Sequence, residues 1–462
     1  MNKNITDMTV GSPTKHILKF AGPLLIGNIF QQFYNMVDSF IVGKYVGEKA
    51  LAAVGTCGSV GFLFFSLSSG LAIGIGIIVA QYFGAKNESS VRTTIGSSIY
   101  VLASAALAVT LIGLIFTPAI LRLLNCPESI IGDAILYMRT TCCGIIFIAF
   151  YNGVAAILRA LGDSKSPLYF LIISSVINLV LDLVFVLYLG MGVFGVGIAT
   201  VISQAVSAIA SIIYAYSKVS YFRLSKEEIL PHRHIIATSY KLGIPLALQN
   251  SLIAISCMVL QGIVNTFGET VMAANTIVSK VEQLVQQPYG SLGAAVTSFA
   301  GQNYGAKDIA RVKKGLHRGF FIVLIFSLSL LPIAYIFGRH IIGFFLNEEA
   351  SLETIRIGAQ ALRITSPFYF FLGMIYVPRA VLNGCGDTKF AMINGITEVI
   401  CRVVFSQVLT RFAVISLFGF TIPMGYWGIW ATTGLTWGLT SIVCMLRYKM
   451  GSWRKGFKSV QN

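Results

Sequence analysis

Long apolar runs recur along the whole chain, separated by short polar or basic stretches. A helix of roughly 20 apolar residues is long enough to cross about 30 Å of hydrocarbon. The runs are continuous rather than alternating with a period of two, which predicts helices and argues against a transmembrane barrel. We therefore expect an all-α polytopic membrane protein with about twelve spans, near residues 17–45, 50–83, 93–120, 131–161, 166–189, 194–216, 234–267, 271–300, 314–338, 352–382, 389–415 and 426–446.

The composition supports this interpretation. Hydrophobic residues make up 55% of the chain and charged residues 11%, whereas soluble domains carry about 25% charged residues. The 8 cysteines contain no Cys-x-x-Cys pair, so neither a disulfide framework nor a zinc site is predicted. The first apolar run, Ile17 to Val46, is too long for a removable signal sequence, so we expect none.

The basic excess is explained by topology. The chain carries a formal charge of +16, and most of its Lys and Arg residues fall on the side of the membrane that would hold both termini. The positive-inside rule then predicts cytoplasmic termini in the plasma (inner) membrane, with the basic loops contacting anionic lipid. Nucleic acid is not an expected partner.

The chain is an internal duplication. Three landmarks occur twice in the same order: GPLLIGN (22–28) and GIPLALQN (243–250), QYFGAK (81–86) and QNYGAK (302–307), LRALGDSK (158–165) and LNGCGDTK (382–389). Each half has an even number of predicted spans, so the halves are parallel repeats, an arrangement used by transporters. The predicted organisation is an N-terminal lobe (1–216), a cytoplasmic linker (217–233), a C-terminal lobe (234–446) and a cytoplasmic tail (447–462).

Two aspartates lie deep in predicted spans of the first lobe. Gln31, Tyr34 (or Asn35) and Asp38 share one face of the first span, and Ser174, Asn178 and Asp182 share one face of the fifth. These carboxylates are either buried groups satisfied by neighbours, or a pair that shares a proton or a sodium ion. The second interpretation is favoured because neither helix carries a basic residue near them.

The second lobe does not duplicate this arrangement, since Leu260 occupies the position equivalent to Asp38. Glu398 precedes Arg402 by four residues, the favourable order for an ion pair on one helix, and both a structural and a functional role stay open. Glu282 belongs to a polar stripe with Asn275, Ser279 and Gln286, which favours contact with substrate in a water-filled cavity.

Other motifs carry little weight. GMGVFG (190–195) fits a Gly-x-Gly-x-x-Gly pattern, but it lies between apolar helices rather than in a βαβ unit, so dinucleotide binding is not predicted. There is no Walker A sequence, hence no expected use of ATP, and no catalytic triad signature. We expect a transporter rather than an enzyme, with no cofactor.

Taken together, the proline-bearing first span with Asp38, the GQNYGAKD-type motif and the LRALGDSKSP loop resemble the multidrug and toxic compound extrusion (MATE) family. The resemblance covers essentially the whole chain. It implies two six-helix lobes that form a V-shaped cleft. It also implies an antiporter in the plasma membrane that exports lipophilic, cationic drugs by alternating access, against entering Na+ or H+.

The resemblance also implies a cation site. In bacterial members the site combines an aspartate of the first helix, an Asn-x-x-x-Asp pair of the fifth and a threonine of the sixth. Here these fall on Asp38, Asn178, Asp182 and Thr200, which would be the metal ligands if the ion is Na+. Some members use an acidic residue in the seventh helix, where this chain has Gln249.

The expected substrate cavity is aromatic and amide-rich, suited to stacking and cation–π contact. Its candidate residues are Gln31, Tyr34, Gln249, Glu282, Gln283, Gln286, Tyr289, Phe371 and Glu398. One alternative is a flippase for a lipid-linked head group, which would need a cationic cleft. Among the cleft spans we noted only Lys280, Arg363 and Arg402 as basic residues. The other alternative is a membrane protein without a transport cycle.

Overall fold

The computed structural model describes residues 4–124, 126–345, 351–412, 414–417, 420–451 and 453–454. Of the predicted C-terminal tail, residues 452 and 455–462 lie outside the described part. The first half of the chain forms seven helices: α1 (Pro13–Ile41), α2 (Glu48–Gly84), α3 (Glu88–Leu123), α4 (Glu128–Cys143), α5 (Ile145–Ala160), α6 (Ser166–Leu183) and α7 (Gly192–Lys218). Helices α1 and α6 each continue into one π-helical turn, Val42–Val46 and Val184–Tyr188.

The second half follows the same plan after a short connecting helix. Its elements are α8 (Lys226–Ile229), α9 (Arg233–Val264), α10 (Glu269–Gly305), α11 (Ile309–Phe344), α12 (Leu352–Thr365), α13 (Tyr369–Gly384), α14 (Lys389–Leu409), β1 (Val414–Leu417), β2 (Phe420–Pro423) and α15 (Trp427–Met450). The eleventh span was predicted to reach residue 415, but α14 ends at Leu409. An antiparallel hairpin follows, in which Val414 pairs with Pro423.

Within the described residues, 8 helices are long and apolar enough to cross a membrane, or up to 9 if the bent pair α4–α5 is counted as one span. Helices α1 and α10 and the broken pair α12–α13 supply the remaining segments of the predicted twelve. Helix α1 carries Gln31 and Asp38, and α10 carries Glu282 and Gln286. These polar side chains lower the hydropathy of the two helices.

The linker between the halves lies against α3. Ser225 and Glu228 form a capping box that begins α8, which satisfies backbone donors at a helix start. Glu228 then forms an ion pair with Arg92 of α3, 3.9 Å apart. This contact fixes the linker to the first lobe.

The two halves of the chain meet through a reciprocal pair of hydrogen bonds. Gln81 Nε2 donates to the carbonyl of Gly384, and Gln302 Nε2 donates to the carbonyl of Ala160, both at 2.8 Å. The two glutamines are equivalent in the repeat, as are the two acceptors, so one contact is the pseudo-symmetric copy of the other. We call this region, defined by Gln81, Gly84, Gln302 and Gly305, the closed end.

Burial shows that the halves meet mainly near this end. Helix α2 is mostly buried from Ser66 to Gln81 but has several exposed positions before Phe65. Helix α10 behaves in the same way, with most residues from Tyr289 to Tyr304 buried. Two helices that are most continuously buried in their C-terminal halves place the interface at one end of the bundle.

The N-terminal segment crosses the closed end. Met8 is buried (1% exposed), its N–H donates to Gln302 Oε1 at 2.8 Å, and its carbonyl accepts from the Arg311 guanidinium at 3.0 Å. Two residues earlier, the Thr6 N–H donates to the carbonyl of Leu161 at 3.3 Å. The segment therefore ties the end of α5 to the C-terminal half.

Candidate ion and substrate sites

Packing of α1 on α6 brings Asp38 and Asp182 together. Asp182 is 1% exposed, Asp38 is half-buried, and the two carboxyl groups lie next to each other. Among the residues that the structure describes, the Oδ1 atom of each is buried without a hydrogen-bond partner. No Lys, Arg or His in the described part of the chain forms an ion pair with either group.

Asn178 and Thr200 complete the group. With its amide nitrogen turned toward the acceptors, Asn178 donates to Asp182 Oδ2 at 3.1 Å and to the Tyr34 hydroxyl at 2.8 Å. In that orientation its oxygen accepts from the backbone N–H of Thr200 at 3.2 Å. The structure thus brings together, from α1, α6 and α7, the four residues that the sequence nominated for a cation site.

Of this group, Asp38 and Thr200 line a cavity of about 550 Å³ within the first lobe, together with Gln31 and Tyr34. Two ionised carboxylates about 4 Å apart repel by roughly 4 kcal/mol at an effective dielectric of 20. A proton or a small cation removes this repulsion and supplies a partner for the unpaired oxygens. Carboxylate and amide oxygens also suit a hard cation as ligands.

The second lobe contains its own cavity, of about 220 Å³. Leu260, the counterpart of Asp38, lies on its wall, so the equivalent place in this lobe is apolar. The polar stripe of α10 also faces this cavity, together with Trp430, Trp437 and Glu398. Glu282 Oε1 is buried and has no hydrogen-bond partner within the described ranges. Residues of the predicted set that line it are Glu282, Gln283, Gln286 and Glu398.

Glu398 is part of a buried ion pair. Arg402 Nη2 lies 3.0 Å from Glu398 Oε1, and each residue is 5% exposed. Arg402 Nη1 also donates to Cys257 Sγ at 2.8 Å, which ties α14 to α9. This geometry gives Glu398 a partner within its own helix, in contrast to Asp38 and Asp182.

We expect Arg402→Met to destabilise the protein by about 3–5 kcal/mol, because Glu398 would remain buried without a counter-charge. The double variant Glu398→Gln/Arg402→Met should recover most of the loss, since no ion then stays behind. Thermal unfolding of the purified protein in one detergent would compare the two, with Glu353→Gln, from the exposed pair with Arg356, as control. Equal melting temperatures for wild type and Arg402→Met would contradict the prediction.

A third cavity, of about 420 Å³, lies between the two lobes. Asn28 of α1, Gln249 of α9 and Tyr376 of α13 contribute to its wall. Arg159 and Arg379 line it as well. Both were missed at the sequence level, where Lys280, Arg363 and Arg402 were the basic residues assigned to the cleft. Of those three, Lys280 is exposed, Arg363 donates to the carbonyl of Tyr335, and Arg402 is paired.

Tyr289 and Phe371 do not line any of these three cavities. Tyr289 is 1% exposed and its hydroxyl is 2.7 Å from the Ser327 hydroxyl, within the apolar core of the second lobe. Phe371 packs against the same core and against Phe368. The sequence predicts that these two aromatic rings stack on the substrate. In the structure they pack in the core formed by α10, α11 and α13.

A duplicated helical bundle with a carboxylate pair in one lobe and a cavity between the lobes defines the class of polytopic membrane transporters. The MatE family model matches residues 23–184 and 245–408, one match in each repeat. The chain belongs to this family, the multidrug and toxic compound extrusion (MATE) transporters.

Relatives agree with this assignment. The chain is 30% identical over 417 residues to the probable multidrug resistance protein YoeA of Bacillus subtilis, covering 88% of this chain and 89% of the relative. It is 28% identical over 449 residues to YpnP of the same organism, covering 97% of each. An outward-facing structure of a multidrug resistance MATE family transporter matches with a TM-score of 0.87 and 23% identity, over 100% of this chain and 99% of that chain. The predicted fold class is confirmed.

Proposed function

We propose that the protein is a cation-coupled antiporter that exports lipophilic drugs carrying a cationic group, driven by Na+ or H+ entry. The observation that carries this proposal is the contact of Asp38 with Asp182, each with a buried oxygen that lacks a partner. An unneutralised carboxylate pair is expensive inside a membrane. A site for a mobile cation gives a reason to keep it.

The ion would act by changing the balance between two arrangements of the lobes. An ion shifts such a balance only if it binds the two arrangements with different affinity. Asp38 lies on α1, which also contacts the other lobe, since Asn28 donates to Ser291 of α10 at 3.1 Å. Ion binding at Asp38 therefore acts on a helix that takes part in the contact between lobes.

The drug would be held in the cavities between and within the lobes. The wall of the C-terminal cavity offers Trp430 and Trp437 for stacking and Glu282 for a cationic group. Glutamine side chains supply hydrogen bonds at its border. No ATP or cofactor enters this scheme, and lipids are the surrounding partners.

We infer that the protein lies in a bacterial plasma membrane with both termini on the cytoplasmic side. The closed end, from which α9 and the N-terminal segment depart, then faces the cytoplasm. The basic loops at that side support the orientation.

Purified protein in liposomes, with either a sodium or a proton gradient imposed, tests the proposal. We expect one gradient to drive uphill movement of a lipophilic dye with a cationic xanthene core, rhodamine 123 or rhodamine 110, and protein-free liposomes to show none. Dissipating that gradient with an ionophore should stop the movement. If neither gradient drives either dye, coupled antiport is wrong for this protein.

A further inference from the structure

The cavity between the lobes has an unusual charge for a transporter of cations. Among the described residues that line it are two arginines and no aspartate or glutamate. Arg159 comes from the last turn of α5, in the first lobe, and Arg379 from α13, in the second. Each lobe thus presents one guanidinium to the space between them.

The two guanidinium groups also stand where the cavities join. Arg159 lines both the central cavity and the N-terminal cavity that contains Asp38. Arg379 lines both the central cavity and the C-terminal cavity that contains Glu282. A bound molecule that extends from the central cavity into either lobe must pass one of them.

Neither arginine is neutralised within the described part of the chain. No ion pair involves Arg159 or Arg379 there. Arg379 stacks its guanidinium 4.6 Å from the Tyr376 ring centroid, which leaves its charge in place. Two carboxylates line the C-terminal cavity with Arg379. Glu398 is paired with Arg402, and Glu282 forms no ion pair among the described residues. An uncompensated guanidinium that faces the interior of a membrane-protein bundle marks a candidate functional site.

Gln249 points to the same kind of ligand. Its side chain is 3% exposed and lines the central cavity, and no described residue supplies an acceptor for its Nε2 donor. Arg159, Arg379 and Gln249 thus place hydrogen-bond donors at the central cavity. No aspartate or glutamate among the described residues lines that cavity to accept from them. A bound molecule with an acidic group would supply the missing acceptors.

We propose that the central cavity binds an anionic group of the transported substrate, a carboxylate or a similar oxyanion, between Arg159 and Arg379 with Gln249 as an additional donor. This rests on the proposed export function and specifies its substrate class as amphiphiles that carry an acidic group. Guanidinium forks bind carboxylates through two parallel hydrogen bonds. A volume of about 420 Å³ suits a small aromatic acid.

A matched pair of dyes tests this directly. Rhodamine 110 carries a free carboxylate, and rhodamine 123 is its methyl ester with the same xanthene core. Fluorescence polarisation of each dye with the protein in phosphatidylcholine nanodiscs, without any gradient, measures binding alone. We expect wild type to prefer rhodamine 110 by roughly tenfold or more, as removal of a charged acceptor from two guanidinium groups should do.

Arg159→Gln and Arg379→Gln should each reduce this preference, and the double variant should abolish it. Arg159→Lys, which keeps the charge but loses the fork, should retain part of it. The exposed Arg356→Gln serves as control and should keep the full preference. Size-exclusion chromatography and the melting temperature check that each variant is folded, and the Lys variant keeps the test informative if a Gln variant is not.

Binding and transport separate this inference from the proposed function. Gradient-driven transport with no preference for rhodamine 110, or with a preference unchanged in the Arg variants, overturns the anion site and leaves antiport standing. Selective binding without gradient-driven transport supports the site and counts against antiport. Failure of both dyes to bind, or loss of rhodamine 110 binding when phosphatidylglycerol is added, overturns the assignment to a drug-like acid.

Discussion

The Asp38→Asn variant is expected to lose ion-driven dye export while it keeps its fold. The substitution preserves size and hydrogen-bonding capacity but removes one of the two charges that would hold the ion. Loss of a charged partner of this kind weakens binding by about 1.5–3 kcal/mol, which is roughly a 10- to 100-fold loss of ion affinity. Fold is spared because Asp38 is half-buried and relief of carboxylate repulsion offsets the lost contact.

Liposomes with the gradient that drives wild type give the measurement, together with the melting temperature of each variant. Asp182→Asn should behave in the same way, since it removes the other half of the pair. The exposed carboxylate Asp133 of α4 provides a matched control, and Asp133→Asn should export dye at the wild-type rate. Uphill export by Asp38→Asn at the wild-type rate would show that coupling does not pass through this pair.

Much of the carboxylate pair can be predicted from the sequence. A charge in an apolar helix without a basic neighbour must find a partner on another helix, and few intramembrane carboxylates are available. The distance between α1 and α6 cannot be read from spacing along the chain. The grouping of Asn178 and Thr200 with Asp38 came from the family resemblance, and the structure supplies the contacts.

The arginines of the central cavity show where such reasoning fails. Arg159 lies in the repeated LRALGDSK motif next to a predicted loop, so its charge was absorbed into the positive-inside count. Whether it points to lipid head groups or to the space between lobes depends on how α5 packs against α2 and α10. One signal in the sequence could have indicated a role for Arg159. It is a basic residue in the last turn of a span, and the second copy of its motif has Asn383 at the equivalent position.

The contact between the two halves at the closed end can be predicted only in part from the repeat. Duplicated QYFGAK and QNYGAK motifs show that the two sites are equivalent, but equivalence does not imply contact. In the structure each glutamine crosses to the other half, because the pseudo-two-fold axis passes between α2 and α10. Gly84 and Gly305 follow these glutamines by three residues. Each lies against the backbone of the other glutamine, where a side chain would not fit.

Gly84→Val is expected to force the closed end apart and to shift the protein toward an arrangement that is open there. A Cβ atom built at Gly84 would overlap the backbone carbonyl of Gln302, and one at Gly305 would overlap the carbonyl of Gln81. Backbone cannot move aside as a flexible side chain can. Overpacking of this kind costs about 1–3 kcal/mol, enough to change the ratio of two arrangements roughly 5- to 150-fold.

Spin labels on cysteines introduced at Ala85 and Ala306, with the exposed Cys143 and Cys257 replaced by serine, would report the separation of the lobes at this end. Gly84→Val and Gly305→Val should both lengthen the measured distance, since each acts on one half of the same reciprocal contact. Gly58, in the same helix α2, has open space around its position, so Gly58→Val is the matched control and should leave the distance unchanged.

Because transport needs the end to close as well as to open, both closed-end variants should also lose uphill export. An unchanged distance in Gly84→Val, with export intact, would mean that the two backbones separate without cost and that the contact does not hold the lobes together.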